Sequence, residues 1–576
     1  MKSALDTALD AVVEGIIAPG GALAVGEADV LGARLPVFSA APPTMREFLG
    51  FFFTAQGPKE FLVFGDERLT FAEVYQRSLK FAAMLQHRRG IAKGDRVGVA
   101  MRNYPEWIVA YVAIVHLGAV CIPMNAWWTA EEMDYGIRDS GARLVIADEE
   151  RARRLATLSC TADVITVRTA AEVADGFGFV RAEDELAASP DTTWYLPPLH
   201  PDDDCTIMYT SGSTGFPKGA VSTHRAQVHG TMNYLVTGLA LLELSARAGQ
   251  PPAEQQVMLL NVPLFHITGL VPVLLVSIAI GRKMVIMHKW DAGEALRLIE
   301  KERCTYFVGV PTMSLELMQH PDRHKYDLSS LVDIASGGAP RPPEHVDRLA
   351  QEFEGKHPVQ GYGLTETNGV GAGNIRENYR NKPASTGRAA PPLVELRIAD
   401  GDGPVGAALP AGTVGEVCIR SVCNCRGYWN KPEATAAAFV GDGWFRSGDL
   451  GYMDEEGYLF IVDRKKDIII RGGENISCQE VESAIYAHPA VAEVSVFGLP
   501  DERLGEVVGA VVYAKPGAHV DSEALIDFLK GGLAGFKIPA RIWTSSDPLP
   551  KLGSAKIDKV SLRKHYRDVW AGKAAA

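Results

Sequence analysis

From Asp95 the chain alternates short apolar runs with amphipathic stretches. Val97–Met101 reads as a strand, Glu106–His116 as a helix, Ala119–Ile122 and Leu144–Ala147 as further strands, with a charged helix after Glu149. Apolar strands separated by helices mark a mainly parallel sheet covered on its faces. A second round begins at Met284–Met287. It passes through a helix with Ala292, Ala295, Leu296 and Ile299 on one face, strands Tyr306–Val310 and Leu331–Ala335, helix Pro343–Phe353 and strand Val359–Tyr362. Two α/β subdomains within one large domain are therefore expected.

After about Gly401 the segments shorten and become Gly-rich, as in a small β subdomain reaching to about Val462. The charge run Asp463-Arg464-Lys465-Lys466-Asp467 reads as a hinge. Beyond it, helix Glu480–Ala487, strands Val491–Gly498 and Val507–Ala514, and helix Asp521–Lys530 make a compact α+β domain. The expected division is an N-terminal extension over 1–44, a large domain over 45–465 and a small C-terminal domain over 466–576, hinged near Lys466. The extension reads as helical, followed by a linker that ends in Ala40-Ala41-Pro42-Pro43. Met258–Ile280 is apolar enough to suggest a membrane span, but Asn261, Pro263, His266, Gly269 and Pro272 interrupt it. A buried helix near a pocket fits better.

The 576 residues, 47% of them hydrophobic, exclude a disordered or collagen-like chain and provide for two or more domains. With 58 Lys+Arg against 70 Asp+Glu the net charge is −12, which argues against a nucleic-acid binder. Eight cysteines, several inside apolar runs, read as reduced thiols in the cytoplasm. Cys418, Cys423 and Cys425 cluster, but no second Cys/His group gives them zinc-like spacing. Asp6, Asp10 and Glu14 stand where a signal peptide needs an apolar core, and Ala574–Ala576 is no known address, so export is not expected.

The strongest chemical signal is Tyr209-Thr210-Ser211-Gly212-Ser213-Thr214-Gly215-Phe216-Pro217-Lys218-Gly219. Small hydroxyl and glycine residues let N–H and O–H donors approach phosphate oxygens, and a lysine adds charge. It is no Walker A loop, because Lys218 lies between Pro217 and Gly219 instead of in a Gly-Lys-Ser/Thr opening a helix. The segment resembles the signature of the adenylate-forming, AMP-binding superfamily: acyl- and aryl-CoA synthetases, peptide-synthetase adenylation domains and beetle luciferases. The resemblance spans nearly the whole chain from about residue 45. Further motifs recur in order: Gly361-Tyr362-Gly363-Leu364-Thr365-Glu366-Thr367, Trp444-Phe445-Arg446-Ser447-Gly448-Asp449, the charge run, Gly472-Gly473-Glu474-Asn475-Ile476, and Pro550-Lys551-Leu552-Gly553-Ser554-Ala555-Lys556-Ile557.

The resemblance implies ATP, Mg²⁺ and coenzyme A as co-substrates and cofactor, and a carboxylic acid as partner. It assigns the 210–218 loop to phosphate, Asp449 to the ribose hydroxyls, Glu366 to Mg²⁺ and the Thr365 hydroxyl to a phosphate. Tyr362 and the backbone around Gly338, Ala339 and Pro340 would flank adenine, with Arg464 on the ribose or phosphate side. Lys556 is the expected catalytic cation between acid and α-phosphate, withdrawn when the C-terminal domain pivots at Lys466 to bring in the CoA-side residues Gly472, Gly473 and Glu474. The family usually has glycine where Ala555 precedes this lysine. His266 falls where similar ligases carry an aromatic or His gate at the acyl pocket; a satisfied buried histidine is the competing reading. Amino-acid-activating relatives need an Asp there for the substrate ammonium, so an acid without an α-amino group is favoured.

The function expected is therefore acyl-CoA synthesis from a fatty or related hydrophobic acid. An acyl-AMP ligase loading a carrier protein, a catalytically weakened nucleotide or acyl-AMP sensor, and, as a minor case, a luciferase-like oxidase remain open. A homo-oligomer is compatible with the sequence.

Overall fold

The computed structural model describes residues 2–159, 161–189, 195–210, 217–249, 251–338, 341, 343–353, 355–401, 405–472, 474–552 and 556–573. Two large sheets dominate. In the first, strand Arg96–Ala100 lies between Val120–Pro123 and Leu144–Asp148, all parallel, with Asp204–Thr210 and Lys218–Thr223 continuing past Val120–Pro123 as an antiparallel hairpin. In the second, parallel strands run in the spatial order His357–Tyr362, Asp333–Gly337, Tyr306–Gly309, Val257–Leu260, Lys283–Ile286 and Glu60–Phe64. Helix Pro105–His116 is buried along its length, because Trp107 to Val115 is an unbroken apolar and small-residue run able to face packed structure on all sides. Both α/β subdomains expected from the alternation are present.

An antiparallel sheet built on Glu395–Ala399, Gly415–Arg420, Trp444–Met453 and Leu459–Arg464 follows. The C-terminal domain surrounds the long hairpin Val491–Asp501 and Gly505–Ala514, with helices Cys478–Tyr486, Ser522–Leu529 and Lys559–Trp570. No helix among the described residues is long and apolar enough to cross a membrane.

Two segments differ from the sequence reading. The N-terminal extension forms the expected helix, Ala4–Ile16, but the stretch read as linker contains an antiparallel hairpin, Val25–Val30 with Ala33–Phe38. Alternating Ala33, Leu35 and Val37 face the core, a short period-two pattern easily passed over beside the prolines. The extension is anchored far along the chain: buried Asp6 accepts hydrogen bonds from Asn378 Nδ2 (3.0 Å) and the Tyr458 hydroxyl (2.8 Å), and pairs with Arg388 at 3.0 Å. Met258–Ile280 is buried but is no single helix. It comprises strand Val257–Leu260, a loop, a π-helical stretch Gly269–Leu275 containing Pro272, and helix Val276–Ile280. Pro272 supplies no amide hydrogen for an α-helical ladder, and the widened turn accommodates it.

Candidate active site

The carboxyl ends of strands from both sheets open on one cleft, where ligands collect in open α/β sheets. A cavity of about 260 Å³ lies there, lined by Arg102, Asn103 and Trp127 from the first subdomain, by His266 and Trp290 from the second, and by Lys556 from the C-terminal domain. Asn103 joins the two halves: its Nδ2 donates to the Val262 carbonyl and its Oδ1 accepts from the Leu264 N–H, both at 2.9 Å. This clamps the loop that carries Phe265 and His266. Gly269 backs the same loop so closely that a Cβ there would stand 2.1 Å from the Pro263 carbonyl oxygen.

On the nucleotide side, Thr210 and Lys218 face each other at the mouth of the hairpin, with the Thr210 hydroxyl 3.4 Å from the Lys218 carbonyl. The Lys218 ammonium lies 5.1 Å from the centre of the Tyr428 ring. The Tyr428 hydroxyl in turn donates to Glu366 Oε1 at 2.8 Å. Glu366 sits on the 3₁₀ turn Thr365–Thr367, just past Gly361-Tyr362-Gly363 at the end of strand His357–Tyr362, and the Cys425 N–H bonds its carbonyl at 2.7 Å. Burial pushes its carboxyl up, against the pull of Tyr428. Tyr428 is the one side chain among the described residues that bonds the carboxylate, which suits a hard cation held by one carboxylate plus phosphate oxygens.

Asp449 lies on strand Trp444–Met453, directly opposite Arg464 in the antiparallel register. Its Oδ1 is 2.6 Å from Arg464 Nε, its Oδ2 accepts from the Tyr362 hydroxyl, and its N–H is held by Ser447 Oγ at 3.0 Å. Burial raises its carboxyl, opposed by Arg464 and Tyr362. An acceptor so fixed matches a diol.

Lys556 reaches the same cleft from the opposite direction. Its loop is closed by the Leu552 N–H on the Lys556 carbonyl (2.7 Å) and by a bridge between Lys551 and Ile557. The ammonium comes so near Gly338, a residue with φ of 75°, that a Cβ there would be 3.4 Å from Nζ. Burial and nearby Arg464 push the Lys556 pKa down to about 8. Burial and Lys556 hold His266 down to about 4, so its imidazole is neutral at pH 7. His266 thus borders the cavity instead of being sealed in the core.

The structure brings together Thr210, Lys218, His266, Gly338, Tyr362, Glu366, Asp449, Arg464 and Lys556 around this cleft. It does not bring in Gly472 and Glu474, which sit on the hairpin Ile469–Arg471 and Glu474–Ile476 with Glu474 exposed and outside the cavity lining. Lys466 lies in a tight turn where the Asp467 and Ile468 N–H groups both bond the Arg464 carbonyl. Ser211, Gly212, Ser213, Thr214, Gly215, Ala339, Pro340, Gly473 and Ala555 lie outside the described residues. Sequence reasoning passed over Asn103 and Tyr428. Only the Gly427-Tyr428-Trp429 run after the cysteine cluster hinted at the second.

Comparison with known proteins agrees with this geometry. The AMP-binding enzyme family model matches residues 53–429, and the AMP-binding enzyme C-terminal domain matches 480–556. The chain is 34% identical over 528 residues to a long-chain-fatty-acid–CoA ligase of Bacillus subtilis (strain 168), covering 87% of this chain and 90% of that one. It is 37% identical over 505 residues to a feruloyl-CoA synthase of Amycolatopsis sp, covering 87% and 95%. The crystal structure of the anthranilate CoA ligase AuaEII with anthranoyl-AMP superposes with a TM-score of 0.81 at 26% identity, covering 93% of this chain and 99% of that one.

Proposed function

This chain belongs to the AMP-binding enzyme family as an acid–thiol ligase of the acyl-CoA synthetase type, and we propose that it activates a hydrophobic acid of aromatic or medium-chain size. The observation that carries the reading is Lys556 Nζ beside Gly338 in a cavity bordered by a neutral histidine and aromatic walls. The cavity's 260 Å³ compares with about 150 Å³ for an apolar cavity that holds benzene, so a ring with a short tail or a medium alkyl chain fills it.

In the first half-reaction the acid carboxylate attacks the ATP α-phosphorus, the bond to the bridging oxygen breaks, and pyrophosphate leaves. Two anions approach one another, and the Lys556 ammonium stabilises that approach more than the separated reactants. Lys218, with Thr210 and the loop between them, holds the triphosphate; Asp449 accepts from the ribose hydroxyls and Arg464 fixes Asp449. Mg²⁺, when bound with the nucleotide, would take Glu366 as ligand and offset phosphate charge. In the second half-reaction the CoA thiol gives up its proton, attacks the acyl carbonyl and expels AMP. Lys556 must vacate the cleft for this. The turn at Lys466 is the proposed pivot between domains 45–465 and 466–576, bringing the Gly472–Ile476 face inward. The buried free thiols among the described residues suit a reducing cytoplasm.

A panel of medium, long, aromatic and steroid-side-chain acids, assayed for acid-dependent pyrophosphate release with and without CoA, tests the reading. Fastest turnover with aromatic or medium-chain acids, and acyl-CoA as product, supports it. Preference for long or steroid acids, or transfer only to a carrier protein, overturns the respective part.

A further inference from the structure

The acid cavity is not apolar throughout. Four parallel strands set its length: from Asp333–Gly337, whose end carries Gly338, across Tyr306–Gly309 and Val257–Leu260, to Lys283–Ile286, whose end leads into His288 and Lys289. Three strand spacings of about 4.8 Å put the second end about 14 Å from the Lys556 end. At that far end, Tyr104 packs on His288 at 4.9 Å between ring centres, and Arg102 lines the cavity with its guanidinium 5.2 Å from the centre of the Trp127 ring.

Arg102 is under-partnered. Its Nε is buried without a hydrogen bond, and no side-chain hydrogen bond from its guanidinium is present among the described residues. Among the described residues the one carboxylate within ion-pair distance of its guanidinium is Glu150, at 3.9 Å, which also takes Arg154 at 2.5 Å and Arg151 at 3.0 Å. Asp148 bonds Arg151 at 2.9 Å and gives Arg102 only an acceptor for its backbone N–H. Three guanidinium groups thus share two carboxylates, and Lys289 adds a further positive charge at the cavity. A guanidinium placed over an indole, with donors left over, is suited to meet a planar oxygen acceptor.

We propose that the acid activated here carries, at the end remote from its reacting carboxylate, an oxygen acceptor that the Arg102 guanidinium receives. An ω-carboxylate or an aryl hydroxyl has the required chemistry. The inference rests on the acyl-CoA synthetase reading and narrows its substrate class: a purely hydrocarbon tail would strip water from Arg102 and return no hydrogen bond.

Matched pairs separate the ideas: nonanedioate against nonanoate, and 4-hydroxycinnamate against cinnamate, each assayed for ATP-dependent pyrophosphate release. The wild-type protein is expected to favour the oxygen-ended member of at least one pair by tenfold or more in kcat/KM, and the pair concerned identifies the acceptor as carboxylate or hydroxyl. Arg102→Met should collapse that ratio towards one, and Arg102→Lys should restore part of it. Preference of the wild-type protein for the methyl- or hydrogen-ended member in both pairs overturns the inference while leaving acyl activation intact. A ratio unmoved by Arg102→Met also overturns it. Pyrophosphate release with none of the four acids, nor with any acid of the wider panel, overturns both this inference and the reading beneath it.

Discussion

The Tyr362 hydroxyl donates a 2.7 Å hydrogen bond to Asp449 Oδ2, joining the Gly-Tyr-Gly strand end to the Ser-Gly-Asp strand. A hydrogen bond to a charged group contributes about 1.5–3 kcal/mol, equivalent to about 10–100-fold in affinity. Tyr362→Phe keeps the ring and removes this bond, so the KM for ATP should rise by about that factor. Steady-state pyrophosphate release at saturating acid measures it; an unchanged KM would mean that Asp449 is positioned without Tyr362.

Lys556→Met should slow acyl-adenylate formation by about 10²–10³-fold, the usual cost of removing one donor aimed at transition-state charge. Thioester formation from supplied acyl-adenylate and CoA should be far less affected, because that step takes place after the lysine has left. Comparable losses in both half-reactions would contradict the domain pivot.

The Lys556 pKa, pushed down to about 8 by burial and Arg464, sets a pH limit. The ammonium is the active form, so kcat/KM for ATP should fall as pH rises through about 8, reporting the free enzyme. Bound triphosphate favours the charged form, so the fall in kcat should lie at higher pH. The Lys556→Met profile should lack this limb altogether.

Asn103→Ala orphans the Val262 carbonyl and the Leu264 N–H, at a cost of about 1–3 kcal/mol each when buried. The freed loop carries Phe265 and His266. The KM for the acid should rise about tenfold or more while that for ATP changes little, together with a lower melting temperature. Equal effects on both substrates would point to global loosening instead.

His224 and His229 accept the Met45 and Phe38 N–H groups on Nδ1, each at 3.3 Å, and burial holds both imidazoles down to about 4. The unfolded chain takes up protons near pH 6.5, the folded chain only near 4. Stability is therefore complete above about 6.5 and is lost as pH falls towards 4, by about 3 kcal/mol per histidine at most. Urea midpoints at pH 7 and pH 5 measure the decline, and equal midpoints would exclude it.

The two α/β rounds were legible because buried parallel strands leave apolar runs such as Val97–Met101 that stand out between amphipathic helices. The expected phosphate loop stood out in the sequence because small and hydroxyl residues recur over one contiguous stretch, Thr210 to Gly219, although residues 211–216 lie outside the described residues. Asn103, Tyr428 and Arg102 were not. Each acts through a partner distant in the sequence, Val262, Glu366 and the cavity's far end, and an isolated Asn, Tyr or Arg carries no local pattern. The N-terminal hairpin escaped for a related reason, since its alternation spans only a few residues and the partners of Asp6 lie hundreds of positions away.

That last distance shapes how the molecule is made. Asp6 and Tyr458 are 452 positions apart and Asp6 and Asn378 are 372 apart, so a ribosome releases one side of this junction long before the other exists. Helix Ala4–Ile16 can pack on helix His224–Arg247 earlier, but its Asp6 cannot meet these two partners until residues up to 458 have been delivered, so this junction is among the last to close.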